Sequence, residues 1–178
     1  MPFTIREFQS TDFDTLWRID QQCFPPGIAY SRTELKLYIR RHGSFTLLAL
    51  DAAPPEIPNL DSGKSNKNSP PPTHEIAQAS APVAGFIVGE ADRANGHIIT
   101  IDVIAAARRS GVGSLLLHAA EDRLRQANCK SVELETAVDN VSALQFYKRH
   151  GYNVIKTFPR YYSNGVDALV LQKDLVPG

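Results

Sequence analysis

Little in this chain's composition points outward. Its 178 residues carry 19 Lys plus Arg against 19 Asp plus Glu, so the formal charge is zero and the pI is about 7.0. That balance speaks against nucleic acid or an anionic membrane as the main partner. There are two cysteines, Cys23 and Cys129, far apart and outside any C-x-x-C or Cys/His cluster. They read as reduced thiols of a cytoplasmic protein. His42, His74, His97, His118 and His150 are dispersed without metal spacing, which assigns them to surface or packing roles and predicts no metal. No apolar run approaches a membrane span, and the residues after Met1-Pro2-Phe3-Thr4 lack the apolar core of an export signal. No internal repeat is visible.

What is present is enough for one domain. Hydrophobic residues make up 43% of the chain, sufficient for a core, and the length suits a single unit over residues 1–178. Residues 52–82 differ in kind: they hold seven of the twelve prolines and a Ser/Asn/Lys cluster. They read as a long flexible insertion, because strand signals resume at once with Val83. The run Pro70-Pro71-Pro72 alternatively offers a docking motif for an SH3-like partner.

Periodicity gives the remaining elements. Strands are expected at Phe3 to Phe8, Phe45 to Leu50, Val83 to Glu90, His97 to Val103, Ser131 to Thr136, Asn153 to Phe158 and Asp167 to Gln172. Helices are expected from Ser10 or Thr11 to Phe24, from the capping box Ser31-Arg32-Thr33-Glu34 to about Arg41, from Gly111 to Asn128, and from Ser142 to His150. The order predicts a mixed α/β fold with four helices and about seven strands. Its sheet is largely antiparallel, with one β-α-β crossover between the fourth and fifth strands and a hairpin turn at Ser163-Asn164-Gly165.

The chemistry begins where an apolar strand meets an amphipathic helix, at Arg108-Arg109-Ser110-Gly111-Val112-Gly113-Ser114. Glycines let the backbone turn and approach a ligand, free first-turn N–H groups point outward, and the helix dipole adds positive potential. A phosphate or pyrophosphate is the natural ligand. The lysine of a P-loop is missing, and Leu116 stands where the third glycine of a dinucleotide site belongs. A CoA pyrophosphate site and a plain strand-to-helix turn with surface arginines remain.

Arg108-x-x-Gly111-x-Gly113 resembles the [QR]-x-x-G-x-[GA] signature of the GNAT N-acetyltransferases. A second stretch, Asn140-x-x-Ala143-x-x-Phe146-Tyr147-x-x-x-Gly151-Tyr152, resembles that family's later signature. Ile5-Arg6 with Asp12, and Cys23-Phe24-Pro25, resemble its opening, so the likeness spans all but residues 52–82. The ending Arg160-Tyr161-Tyr162 before Asp167-Ala168-Leu169 resembles the subgroup that acetylates ribosomal-protein alanine and other protein N-termini.

The resemblance implies a GNAT fold in which the fourth and fifth strands splay apart. It also implies a ternary complex of acetyl-CoA with an amine that attacks the thioester directly. Backbone groups of Ile101 and Val103 would hold the pantetheine arm, Arg108, Arg109, Ser110, Gly111, Val112, Gly113 and Ser114 the pyrophosphate, and Asn140 the thiol end. Tyr147 would contact the cofactor as proton donor to the departing thiolate, and Glu135 would serve as general base through water. Strand alternation puts Glu133 on the same face, so either carboxylate qualifies. Tyr30, Asp102, Tyr161 and Tyr162 are the candidate acceptor contacts. An α-amine, with pKa about 7.7–8.0, is partly neutral near pH 7, whereas a lysine near 10.4 is not; this suits a weak relayed base and favours a protein or peptide N-terminus. A polyamine or antibiotic acceptor, a non-catalytic CoA-binding module, and a monomer or homodimer stay open.

Overall fold

The computed structural model describes residues 3–51 and 81–176. The stretch expected as an insertion lies outside the described residues except for Ala81 and Pro82. Seven strands and four helices follow in the expected order: β1 (Phe3–Glu7), α1 (Phe13–Cys23), α2 (Arg32–Arg40), β2 (Ser44–Asp51), β3 (Val83–Asp92), β4 (Asn95–Val103), α3 (Val112–Gln126), β5 (Ser131–Ala137), α4 (Val141–Arg149), β6 (Asn153–Phe158) and β7 (Ala168–Asp174). Two single 3-10 turns, Ser10–Asp12 and Ala105–Ala107, precede α1 and α3 and have no signal in the hydrophobic pattern. At α2 the expected capping box is complete: Ser31 Oγ accepts from Glu34 N–H, and Glu34 reaches back to the Ser31 N–H.

The strands form one sheet in the order β1-β2-β3-β4-β5-β7-β6, antiparallel at every pair except β4 with β5. Each face carries its own apolar layer. On one, Val112, Leu116, Leu117, Ala120 and Leu124 of α3 pack on Leu47, Ala49, Ile87 and Ile98. On the other, Leu16 and Ile19 of α1 and Leu35 of α2 pack on Leu48, Phe86 and Val88. Central strands buried on both faces explain why β2 reads as a nearly continuous apolar run rather than an alternation.

One irregularity positions everything that follows. Val88 faces Thr100 while Gly89 faces Ile98, so Ile99 is an extra residue in β4. A β-bulge re-aims the side chains beyond it. Before it, Ile98 joins the α3 layer; after it, Ile101 and Val103 do so, and Asp102 turns toward Cys23 at the end of α1.

Candidate active site

β4 pairs with β5 only from Asn95 to Ile98, against Ser131 to Leu134. Past the bulge β4 stays with β3, while β5 stays with β7 as far as Ala137 opposite Ala168. The two parallel strands therefore separate, as expected, and a cleft opens between them. Ile104 N–H donates to the Ala84 carbonyl, so alternation turns the backbone groups of Asp102 toward β3 and those of Ile101 and Val103 toward the open side. The Val103 carbonyl is already held there, accepting from Arg108 Nε at 3.1 Å and from the Cys23 thiol at 3.4 Å. The Ile99 carbonyl accepts from the Tyr30 hydroxyl at 3.2 Å.

At the end of β4 the chain turns into α3. Gly111, the residue before the helix, has φ +94°, a left-handed conformation that glycine adopts without strain. Arg109 shares that region at φ +62°. No side chain caps α3: Ser110 Oγ instead bonds the Ala107 carbonyl at 2.6 Å. The first helical bond runs from Leu115 N–H to the Gly111 carbonyl, leaving the N–H groups of Val112, Gly113 and Ser114 without intrahelical partners. A Cβ at Gly113 would meet the Phe146 ring at an ordinary 3.4 Å, so packing within the protein does not itself demand glycine there. An uncapped helix start beside two arginines fits a pyrophosphate. Arg108, however, turns its side chain back onto β4.

Two acid–base groups flank the cleft. Glu135 of β5 bonds His97 of β4, with Oε2 and Nε2 2.7 Å apart, and Glu90 lies 3.9 Å from the other ring nitrogen. Burial works against a charged His97, but the Glu135 hydrogen bond and the charges of Glu135, Glu90 and Glu133 outweigh it and raise its pKa. His97, expected to serve surface or packing needs, is thus hydrogen-bonded to a carboxylate of the neighbouring strand. Glu133 is engaged differently, accepting from Gln172 Nε2 at 2.9 Å. The two carboxylates, equivalent in the sequence, thus differ in partner: a titratable ring for Glu135 and an amide for Glu133.

Tyr147 of α4 is buried to 6% exposure, its ring packed on Phe146 and Tyr152. Its hydroxyl has no hydrogen-bond partner among the described residues and keeps contact with solvent. Burial, with Asp102 and Tyr162 nearby, pushes that hydroxyl well above the ordinary tyrosine range. It is a donor at any physiological pH. Asn140 caps α4, its Oδ1 accepting from Ala143 N–H at 3.2 Å, and among the described residues its amide nitrogen has no partner.

Tyr30 is clamped by Asp20, whose Oδ2 accepts the Tyr30 N–H at 2.9 Å, and by Gln21, which donates to the Tyr30 carbonyl at 2.8 Å. Burial pushes Asp20 up to about 6. Asp102 is fully buried, bonds Thr100 at 2.9 Å, and leaves Oδ1 without a partner among the described residues; burial and then the Asp20 charge raise its pKa strongly. It lies beside Cys23 at the end of α1, and its charge is felt at Tyr147. Tyr161 and Tyr162 pack edge to face at 5.1 Å in the β6–β7 turn, close enough to Glu135 for its charge to be felt at both. That turn bonds the α1–α2 loop through Ser163 Oγ and the Gly27 carbonyl, 2.9 Å apart. The segments that carry Tyr30 and Tyr161–Tyr162 are thus tied together, a contact with no signal in sequence because 136 positions separate the partners.

The model of the acetyltransferase (GNAT) family matches residues 14–152. An uncharacterised N-acetyltransferase of Methanocaldococcus jannaschii is 40% identical over 99 residues, covering 55% of this chain and 64% of that protein. An N-alpha-acetyltransferase of Sulfurisphaera tokodaii is 35% identical over 81 residues, covering 45% of this chain and 48% of that one. The chain thus spans from about half to under two thirds of the length of these curated relatives. Among solved structures, Ard1 from Thermoplasma volcanium superposes with a TM-score of 0.77 at 26% identity, covering 99% of this chain and 100% of that one.

Proposed function

The chain belongs to the GNAT acetyltransferase family, and from that premise we propose that it moves the acetyl group of acetyl-CoA to the N-terminal α-amine of a protein or peptide. The observation that carries this reading is the His97–Glu135 pair at the mouth of the β4–β5 cleft, with Tyr147 contributed from α4. The N-alpha-acetyltransferase relative supports the choice of acceptor. Two free thiols suit a cytoplasmic setting.

Bound acetyl-CoA supplies an activated thioester. The chain's residues do the rest. The free amides from Val112 to Ser114, with the positive end of α3, bind the pyrophosphate. Backbone groups of Ile101 and the Val103 N–H on the open side of β4 hold the pantetheine arm, and the Asn140 amide bonds near its thiol end. The Glu135 carboxylate, with neutral His97 bonded to it, takes the proton the amine sheds, through a water. Tyr147, too weak an acid to release its proton fully, donates a hydrogen bond that strengthens as charge gathers on sulfur. Tyr30, Tyr161 and Tyr162, held together through Asp20 and the Ser163–Gly27 bond, orient the acceptor.

A second acceptor class has one observation in its favour. A cavity of about 200 Å³ beside His97 is lined by Glu90, Asp92 and Glu133 as well, which suits a polyamine. Thiol release from acetyl-CoA, measured with peptides of varied first residue, with the same peptides blocked at the α-amine, and with spermidine, separates the two. Turnover confined to free α-amines supports the proposal; turnover on spermidine alone replaces it with the second reading; none with any acceptor refutes both.

A further inference from the structure

One histidine joins the end of α4 to the first turn of α3. His150 Nδ1 lies 2.8 Å from the Phe146 carbonyl oxygen, and its Nε2 lies 3.0 Å from Ser114 Oγ. A carbonyl oxygen can only accept, so Nδ1 carries a proton. In the neutral ring Nε2 is then a lone pair, and its contact with Ser114 is a hydrogen bond only if the hydroxyl donates. Ser114 is the third residue of α3, among the free amides of the cradle. A hydroxyl has one proton. Given to His150, it leaves only oxygen lone pairs to face an arriving anion. In the charged ring, Nε2–H donates to Ser114 Oγ and the hydroxyl proton is released for the anion.

We propose that His150 is a positioning residue for the cofactor pyrophosphate, taking a proton from solvent onto Nε2 as the anion binds and so turning the Ser114 hydroxyl into a donor. This rests on the reading of the cradle as a CoA site. The anion's own charge drives the equilibrium the same way, since it favours a nearby imidazolium. From α3 the groups facing the ring are Ser114 and His118, whose ring centre is 5.3 Å away; from its own helix it is Phe146, at 4.4 Å. The charged neighbours along the chain are Lys148 and Arg149, and no carboxylate bonds the ring among the described residues. His118 is the one rival titrating group this places in contact.

The test is calorimetric titration of acetyl-3′-dephospho-CoA in buffers of differing ionisation enthalpy between pH 6 and 8. That ligand lacks the phosphomonoester, whose own proton, with pKa about 6, would obscure the count. The wild type is expected to take up a fraction of a proton on binding, with affinity falling about fivefold to tenfold across the range. His150→Gln, a neutral donor and acceptor, should bind without uptake and with flat affinity, and Ser114→Ala should reduce the uptake although His150 remains. His118→Gln should retain it. Binding by the wild type without proton uptake, uptake that survives His150→Gln, or uptake lost only in His118→Gln overturns the proposal. Failure of the wild type to bind at any pH refutes the cradle reading itself, a different result.

Discussion

Replacing Tyr147 by Phe removes one oxygen and nothing else. The ring contacts with Phe146 and Tyr152 stay, and the hydroxyl makes no bond to any described residue, so no partner is orphaned. Deleting a hydroxyl becomes expensive mainly when a buried partner is left unsatisfied, at about 1–3 kcal/mol. Here the change in folding stability should stay within about 0.5 kcal/mol, in the range of an ordinary surface substitution. The effect on turnover should be much larger. Loss of a proton donor to the leaving sulfur is expected to lower kcat about 10²-fold, near 2.7 kcal/mol of transition-state stabilisation, with little change in either KM. Because burial, Asp102 and Tyr162 hold the hydroxyl well above its ordinary pKa, the wild type should show no falling limb of activity from this group below about pH 10. Urea denaturation and steady-state thiol release on the same two proteins decide it. A stability loss above about 1.5 kcal/mol with kcat changed less than threefold would make Tyr147 a packing residue and refute the reasoning.

Four further outcomes follow from the geometry. The wild-type kcat/KM should rise with an apparent pKa above the ordinary histidine value of about 6.5, and His97→Gln should remove that limb while lowering kcat. In stability the sign is set as well: the raised His97 pKa stabilises the fold fully below about pH 6.5 and loses that contribution as pH climbs through the raised value, so His97→Gln should cost more at pH 6 than at pH 9 in urea titrations. Glu121 is buried and binds Lys173 Nζ at 2.7 Å, the Tyr152 hydroxyl at 3.1 Å and Arg125 at 3.3 Å; Glu121→Ala strands these donors and should cost about 3–5 kcal/mol, read from the urea midpoint. Gly111→Ala adds a methyl that meets nothing within 4 Å, so its cost is purely conformational, about 1–2 kcal/mol, with Gly111→Asn cheaper in the same thermal melts.

What the sequence disclosed and what it withheld divide along chain separation. Ser31 to Glu34, Gly111 before α3 and Gly151 after α4 act within a few residues, and each lies where local physics puts it. The splay was legible only through family resemblance, because no residue type marks Ile99 as an extra position; the bulge appears only once β3 and β4 are in register. His97 shows the same limit. Nothing near it in sequence suggests a role, yet parallel pairing sets it opposite Glu133 and within reach of Glu135, 38 positions away. Asp20 likewise carries no local signal, one polar residue among several on an amphipathic helix, yet it holds the Tyr30 backbone.

An open strand edge buried in a protein would normally be costly, since each unpaired backbone group loses its hydrogen bond. Here β4 and β5 each keep a full partner on the outer side, so only their facing edges go unpaired. Side chains from the two substrate regions occupy part of that edge: Tyr30, a candidate acceptor contact, takes the Ile99 carbonyl, and Arg108, from the cradle, takes the Val103 carbonyl. A pantetheine arm bonding along β4 must therefore leave these contacts in place or exchange with them. Tyr30→Phe tells the two apart. It frees the Ile99 carbonyl while keeping the ring on Tyr38. If the arm exchanges with Tyr30, acetyl-CoA should bind the variant more tightly than the wild type in calorimetry while the acceptor KM rises. An unchanged cofactor affinity would mean that the arm passes between the two tethers and that Tyr30 serves the acceptor alone.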